Sequence, residues 1–306
     1  MPSPLHWDAA TEHHPALTAD PEFGALLRGP QMEALHLLRE QRRVERVLAR
    51  GSGWGFRSEA GLVLVRPLAW DEQHFGYPCA DICRYYLVPG AGAEEADELT
   101  RATVEEARRQ GVLLLSARLP ASRVALVQSL ERHGLRLVDT SVELATVLPL
   151  QQTPAVPGVT VRAPRPEDRE ALAALATSFV GNRFHRDPRI PADKAAGVYA
   201  GWAVSAMKGD HGRLVVAEAE GRVAGFSSYT LPDDDLDVGT VALVVVHPDF
   251  RGRRIVDPLM VGCAEQLACR AMVTSTQVSN SPALRGFGRH GLLPIGARHI
   301  FHGWLD

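Results

Sequence analysis

Residues 241–246 are six consecutive apolar side chains, Val-Ala-Leu-Val-Val-Val, and they run straight into His-Pro-Asp-Phe-Arg-Gly-Arg-Arg-Ile-Val at 247–256. A half-exposed strand alternates apolar and polar positions, so an unbroken run of this length predicts a strand buried on both faces. Pro248 ends its ladder, because proline has no N–H to donate. Beyond it, Val256, Leu259, Met260, Cys263, Leu267 and Ala268 recur at helical spacing and predict an amphipathic helix. Strand, basic turn and helix start suit an anion: free N–H groups and the positive end of the helix dipole converge there. Arg251, Arg253 and Arg254 would add charge-assisted hydrogen bonds. A strand–turn–helix connection that binds nothing fits the same residues.

The continuation narrows this. Residues 271–277 predict a second strand, and Asn280-Ser-Pro-Ala opens another helix, with Ser281 placed as its cap and Pro282 at its first position. Arg289-His-Gly closes that helix, and residues 292–304 have the apolar content of a terminal hairpin.

These segments resemble the acyl-CoA-binding core of the GNAT superfamily of N-acetyltransferases, whose pyrophosphate loop reads Q/R-x-x-G-x-G/A after a strand ending V-x-P. Val246, Pro248 and Arg251 match, whereas Arg254 and Val256 stand where the glycines are expected. The later pattern N-x-x-A-x-x-x-Y-x-x-x-G-F is met by Asn280, Ala283 and Gly291, with Phe287 at the tyrosine position. The resemblance implies an α/β (α+β) fold, with a mixed central sheet flanked by helices. It also implies acetyl-CoA as acyl donor, held by Val244, Val245, Val246, Arg251, Gly252, Arg253, Arg254, Ile255, Val256, Asn280 and Phe287.

Four further motifs occur in order: Trp-Asp-x-x-x-Phe-Gly from Trp70, Arg-Phe-x-x-Asp-Pro from Arg183, Tyr-x-x-Trp from Tyr199, and Thr-Gln-x-x-Asn ending at Asn280. From about residue 62 onward this set is similar to the dTDP-fucosamine acetyltransferase type, which acetylates the amine of a nucleotide-linked deoxyamino sugar. The resemblance therefore implies acetyl transfer to a small-molecule primary amine. In that type a tyrosine near the chain's end stands close to the thioester, and counting from Gly291 puts His299 at its place. The imidazolium of His299 is then a candidate acid for the leaving thiolate, its ordinary pKa of about 6.5 being near neutrality. A hairpin histidine with a satisfied hydrogen bond is the other reading.

At 306 residues two domains are expected. The division predicted is a helical extension over 1–60, a partial α/β domain of the same kind over 61–150, a linker over 151–158 and the acyltransferase domain over 159–306. The linker Gln-Gln-Thr-Pro-Ala-Val-Pro-Gly has two prolines and no packing pattern. Leu35, Leu38, Val44 and Val47 suggest a surface helix over 31–49. Arg-His-Gly-Leu ends a helix and starts an apolar strand at 132–135 and again at 289–292, which suggests that the halves are related.

A net charge of −3 argues against a nucleic-acid binder. The N-terminus lacks the pattern of a signal peptide, and no apolar stretch approaches the roughly 20 residues that span a bilayer. A cytoplasmic protein with no membrane partner is expected. Cys79, Cys83, Cys263 and Cys269 lack zinc-site spacing, so no metal is expected. A homodimer is one assembly the sequence leaves open.

Two stretches are candidates for the acceptor. Trp70, Asp71, His74 and Phe75 lie in a segment without evident periodicity, and Arg183, Phe184, His185, Tyr199 and Trp202 form a comparable set. Aromatic walls with a few aimed polar groups suit a polar ligand; a domain interface has similar composition. An arriving ammonium must lose a proton, and Asp237 or a histidine is the candidate base. The acidic run 233–237 reads more readily as a solvated turn, with Asp237, at the mouth of the strand, the one residue kept as a candidate. A different acyl thioester, an acyl carrier protein, a non-sugar acceptor or a non-catalytic acyl-CoA binder also fit the motifs.

Overall fold

The computed structural model describes residues 3–5, 53–150, 155–209, 212–232 and 237–306. The helix expected over 31–49, most of the acidic run and residues 151–154 of the linker lie outside them. The chain forms two compact units: residues 1–141 with 295–306, and residues 142–294.

In the first unit the strand order is β1 (Ser3–Leu5), β2 (Trp54–Ser58), β3 (Gly61–Pro67), β4 (Cys79–Leu87), β5 (Leu114–Pro120), β12 (Leu293–Trp304) and β6 (Arg136–Val147), the last as far as residue 141. β4 and β5 run parallel, from Cys79 opposite Leu114 to Ile82 opposite Ala117. The crossover between them is α2 (Ala93–Arg109), after the short α1 (Ala69–Phe75). Ala96, Leu99, Thr100, Thr103, Val104 and Ala107 fall on one face of α2 at spacings of three and four, and all are buried. Together with Leu126 and Leu130 of α3 (Val124–Arg132) they pack on Val63, Val65, Leu115 and Ala117 of the sheet.

The second unit has helices on both faces of its sheet. Residues 142–147 of β6 are followed in order by β11 (Ala271–Gln277), β10 (Val238–Val246), β9 (Arg222–Thr230), β8 (Arg213–Ala219) and β7 (Val159–Arg162). α4 (Arg169–Thr177) and α6 (Ala192–Lys208) cover one face through Leu172, Leu175, Ala203 and Ala206, with the one-turn α5 (Arg183–Arg186) between them. α7 (Val256–Leu267) and α8 (Ser281–Gly288) cover the other through Leu259, Met260, Cys263 and Phe287.

The halves share one order: parallel strand, crossover helix, parallel strand, a helix ending in Arg-His-Gly, and a long strand. β12 pairs antiparallel with β5, from Arg298 opposite Pro120 to Trp304 opposite Leu114, while the end of β6 neighbours β11.

Four local expectations are corrected. Residues 293–304 form one strand rather than a hairpin, because β5 pairs with the chain continuously from Arg298 to Trp304. The segment from Trp70 is helical: Trp70 and His74 stack one turn apart at 5.0 Å, and Gly76, at φ 87°, stops the helix. Seven residues are too few for a periodicity to be visible in the sequence. Asn280, not Ser281, caps α8, accepting from the Ala283 N–H at 3.3 Å. The apolar run of β10 is packed on both faces, but Ala242 is a bulge and is exposed. The extra residue reverses the alternation, so Val241, Val244 and Val246 face α7 while Leu243 and Val245 face α4 and α6.

Candidate active site

In the second unit β10 and β11 pair only from Val238 opposite Ala271 to Val241 opposite Thr274. The Thr274 hydroxyl donates to the Val241 carbonyl at 2.9 Å and closes that ladder. Past this point β10 continues to Val246 and β11 to Gln277, and residues 244–246 are paired on their β9 side alone. An extended ligand with amide groups can add to such an edge as a further strand would.

Pro248–Phe250 forms a 3₁₀ turn after β10, and residues 251–255 lead into α7. Gly252 has φ 78° and Arg254 has φ 59°. The position expected to be glycine thus keeps the left-handed conformation glycine would supply, at a cost of roughly 1 kcal/mol for a residue with a Cβ. Among the described residues, the N–H groups of Gly252, Arg254 and Ile255 have no backbone acceptor. Val256, at the second expected glycine, lies against Gly286 of α8, where a Cβ would come 3.2 Å from the valine methyl. The small residue that allows close approach has moved to the partner helix.

The three loop arginines are in different situations. Arg253 pairs with Glu220 at 2.7 Å and Arg254 with Asp257 at 2.6 Å. Arg251 is exposed, has no carboxylate partner among the described residues and donates to the Val246 carbonyl at 3.4 Å. Asp257 is 1% exposed at the start of α7 and also accepts from Arg289 Nη2 at 2.8 Å. His290 Nε2 lies 3.2 Å away. Burial alone would raise the Asp257 pKa, but the bonds from Arg289 and Arg254 hold the carboxyl below its ordinary range. Burial keeps His290 neutral by lowering its pKa, against the pull of Asp257.

Asn280 is bonded at both ends: Oδ1 caps α8, and Nδ2 donates to Thr276 Oγ1 at 3.0 Å. Phe287 is buried in the core beneath α7. Asp237, at φ 49°, opens β10 at the end opposite the loop and pairs with Arg270 at 2.6 Å. Cys263 is buried, which pushes its thiol up to about 12, and none of the four cysteines forms a disulfide. Among the described residues no group of three metal-ligating side chains is clustered.

The acceptor residues of the second unit cluster around α5. Asn182 is fully buried, and its Oδ1 accepts from the N–H groups of Phe184 and His185 at 2.9 and 3.2 Å. The Arg183 guanidinium lies over the Phe184 ring at 4.4 Å. Burial lowers the pKa of His185, and its Nδ1 is buried with no partner among the described residues. Arg186 Nη2 donates to Ser279 Oγ at 2.7 Å, tying α5 to the turn that carries Asn280. Tyr199 packs edge-on against Phe179 at 4.9 Å and Trp202 at 5.2 Å.

Trp70, Asp71, His74 and Phe75 belong to the first unit, as does His299, whose Nδ1 is 2.9 Å from Thr140 Oγ1. The sequence reading passed over Arg186, Ser279, Asp257, Arg289 and His290 as site residues. An acid three residues after Arg254, in the first turn of a helix, was the available signal for Asp257.

Residues 174–292 match the model of the acetyltransferase (GNAT) family. The matched residues all lie within the second unit. Solved structures agree on the fold across most of the chain. A GCN5-related N-acetyltransferase from Sphaerobacter thermophilus is 18% identical, covers 86% of each chain and superposes with a TM-score of 0.58. A tandem GNAT protein of the clavulanic acid biosynthesis pathway is 16% identical over 83% of this chain and 82% of its own, with a TM-score of 0.54. A fungal enzyme's GNAT region, described as a glucosamine N-acetyltransferase within a multi-domain GH3 β-N-acetylglucosaminidase, is 17% identical with a TM-score of 0.56. It matches 82% of this chain and 32% of that one. No curated protein matches the chain in sequence.

Proposed function

We propose that this GNAT protein moves the acetyl group of acetyl-CoA to the primary amine of a nucleotide-linked amino sugar or a similar small polar amine. The observation that carries the reading is the divergence of β10 and β11 after Val241, ending in a left-handed loop at the N-terminus of α7. An extended pantetheine arm can pair with residues 244–246, and a pyrophosphate can meet the open N–H groups of the loop. Asn280 would bind the same arm. The amino-sugar class rests on the ordered motifs from Trp70 to Asn280 and on the glucosamine N-acetyltransferase description of the fungal region.

In the transfer the amine nitrogen attacks the thioester carbon, the C–S bond breaks, and one proton leaves nitrogen while another reaches the thiolate. Two residues can take the first proton. Asp237 already holds Arg270, whereas His185 is held neutral by burial with Nδ1 unpaired, and we assign it the base role. Arg183, Phe184, Tyr199 and Trp202 would wall the acceptor.

Thiol release from acetyl-CoA, measured with a panel of nucleotide-linked amino sugars, simple amino sugars and non-sugar amines, tests the assignment. Saturable turnover confined to the sugars supports it. Binding of acetyl-CoA with no turnover of any amine would instead make the chain an acyl-CoA-binding protein.

A further inference from the structure

We propose that Asn182 is a specificity-determining residue of the acceptor site: its Nδ2 is held to donate to a hydroxyl on the carbon next to the amine, which makes the acceptor a 1,2-amino alcohol. The inference rests on the reading of the second unit as an acyltransferase whose acceptor amine meets His185.

Asn182 is 0% exposed, and its Oδ1 accepts from the N–H groups of Phe184 and His185. Those two donors fix which way the amide faces, since a reversed amide would set N–H against N–H. The same bonds cap α5, and serine, threonine or aspartate would cap it through an oxygen as well. What asparagine adds is Nδ2, which is buried and has no partner among the described residues. A buried donor left in that condition costs about 1–3 kcal/mol. Capping therefore accounts for the oxygen alone, and the nitrogen calls for a partner from outside the chain.

His185, three residues on, is the complementary group. Its Nδ1 is also buried with no partner among the described residues, and burial favours the neutral ring. Side chains three apart on a helical turn are neighbours, with about 5–6 Å between their Cβ atoms. A donor and a proton-accepting nitrogen at that spacing match an oxygen and an amine on adjacent carbons. The oxygen accepts from Nδ2 while the amine faces Nδ1. A carboxylate or phosphate oxygen suits Nδ2 poorly, because one neutral amide at a buried position does not offset the desolvation of a full charge. Entry is through α5 itself. Gly181 has φ 85°, and a Cβ there would meet nothing within 4 Å. Arg186 latches the turn, with Nε on the Gly181 carbonyl at 3.0 Å and Nη2 on Ser279 Oγ at 2.7 Å. Both bonds are exposed, so water can replace them as the acceptor enters.

Thiol release from acetyl-CoA by the full chain tests this with two acceptors. One is a nucleotide-linked amino sugar with a hydroxyl on the carbon next to the amine, and the other is the same compound with that hydroxyl replaced by hydrogen. Wild type is compared with Asn182→Ser and Asn182→Thr, which keep a capping oxygen and lose the amide donor. The expected result is a wild-type kcat/KM at least about tenfold higher for the hydroxyl compound. Each variant should lose that preference by falling to the rate of the deoxy compound, with deoxy turnover and acetyl-CoA affinity unchanged. Variants that lower both acceptors together overturn the inference, Asn182 then being a cap and nothing more. Equal wild-type rates for the two acceptors, or variants that keep the preference, also overturn it, and the partner of Nδ2 is then a buried water. If both variants prove unfolded by thermal melting, the wild-type comparison decides alone. Wild type that turns over neither acceptor removes the acyltransferase reading itself, and this inference with it.

Discussion

Arg289 grips Asp257 across 32 residues of chain, with Nη2 at 2.8 Å and Nε at 3.2 Å from the same carboxylate oxygen. Arg132 grips Asp97 in the same way across 35 residues, with Nε and Nη2 both within 3.1 Å. In each half the arginine belongs to the Arg-His-Gly that ends a helix, and the aspartate lies near the start of the crossover helix before it. The repeated tripeptide is thus a fastener that holds two helices of each repeat together. Only in the second half does the fastener also hold a loop residue, Arg254.

Asp257 should make stability depend on pH at the acid end. Its pKa is depressed in the folded chain, so its contribution is fully present above the ordinary carboxyl value of 3.8 and is lost as pH falls through the lower folded value. At neutral pH Asp257→Asn should cost about 3 kcal/mol, toward the low end for a broken buried pair because both arginines are half-exposed. Denaturant melts from pH 7 downward should show the gap between variant and wild type closing in acid. A gap that stays constant to pH 2 would contradict the assignment.

Among the described residues Arg251 is the loop arginine with no carboxylate to neutralise it, so its charge is available to phosphate. Arg251→Ala should weaken acetyl-CoA binding about tenfold, the worth of one charge-assisted bond, and leave the melting temperature of the free protein unchanged. Ligand at about 100 times its dissociation constant should stabilise wild type by roughly 2.7 kcal/mol, and thermal-shift titration of both proteins reads the difference.

The base role of His185 predicts an acid limb in the kcat/KM profile. Burial favours the neutral ring, so the limb should lie below the ordinary histidine value of 6.5, with activity rising as pH passes it. His185→Gln should abolish that limb and lower kcat by roughly 10²-fold or more. A limb that survives unchanged in the variant would place the base elsewhere, and Asp237→Asn is then the next substitution.

Much of this protein was legible in its sequence, because local rules govern the relevant features. The apolar run of β10, the spacing of Leu259, Met260, Cys263 and Leu267 on α7, and the strand Ala271–Gln277 each follow from a periodicity or its absence. The loop arginines and Asn280 were visible as chemistry at fixed offsets. What the sequence alone could not determine depends on partners distant in the chain. Whether residues 292–304 turn back or run straight is decided by β5, some 180 residues earlier, whose open edge pairs with the chain through Trp304. The bulge at Ala242 is a misfit in register between β10 and β9, and register has no signature within either strand. Asp257 reads as an ordinary acid in the first turn of a helix. Only packing brings Arg289 and His290 against it and makes it a buried hub, since charges 32 and 33 residues apart meet through the fold and not through spacing.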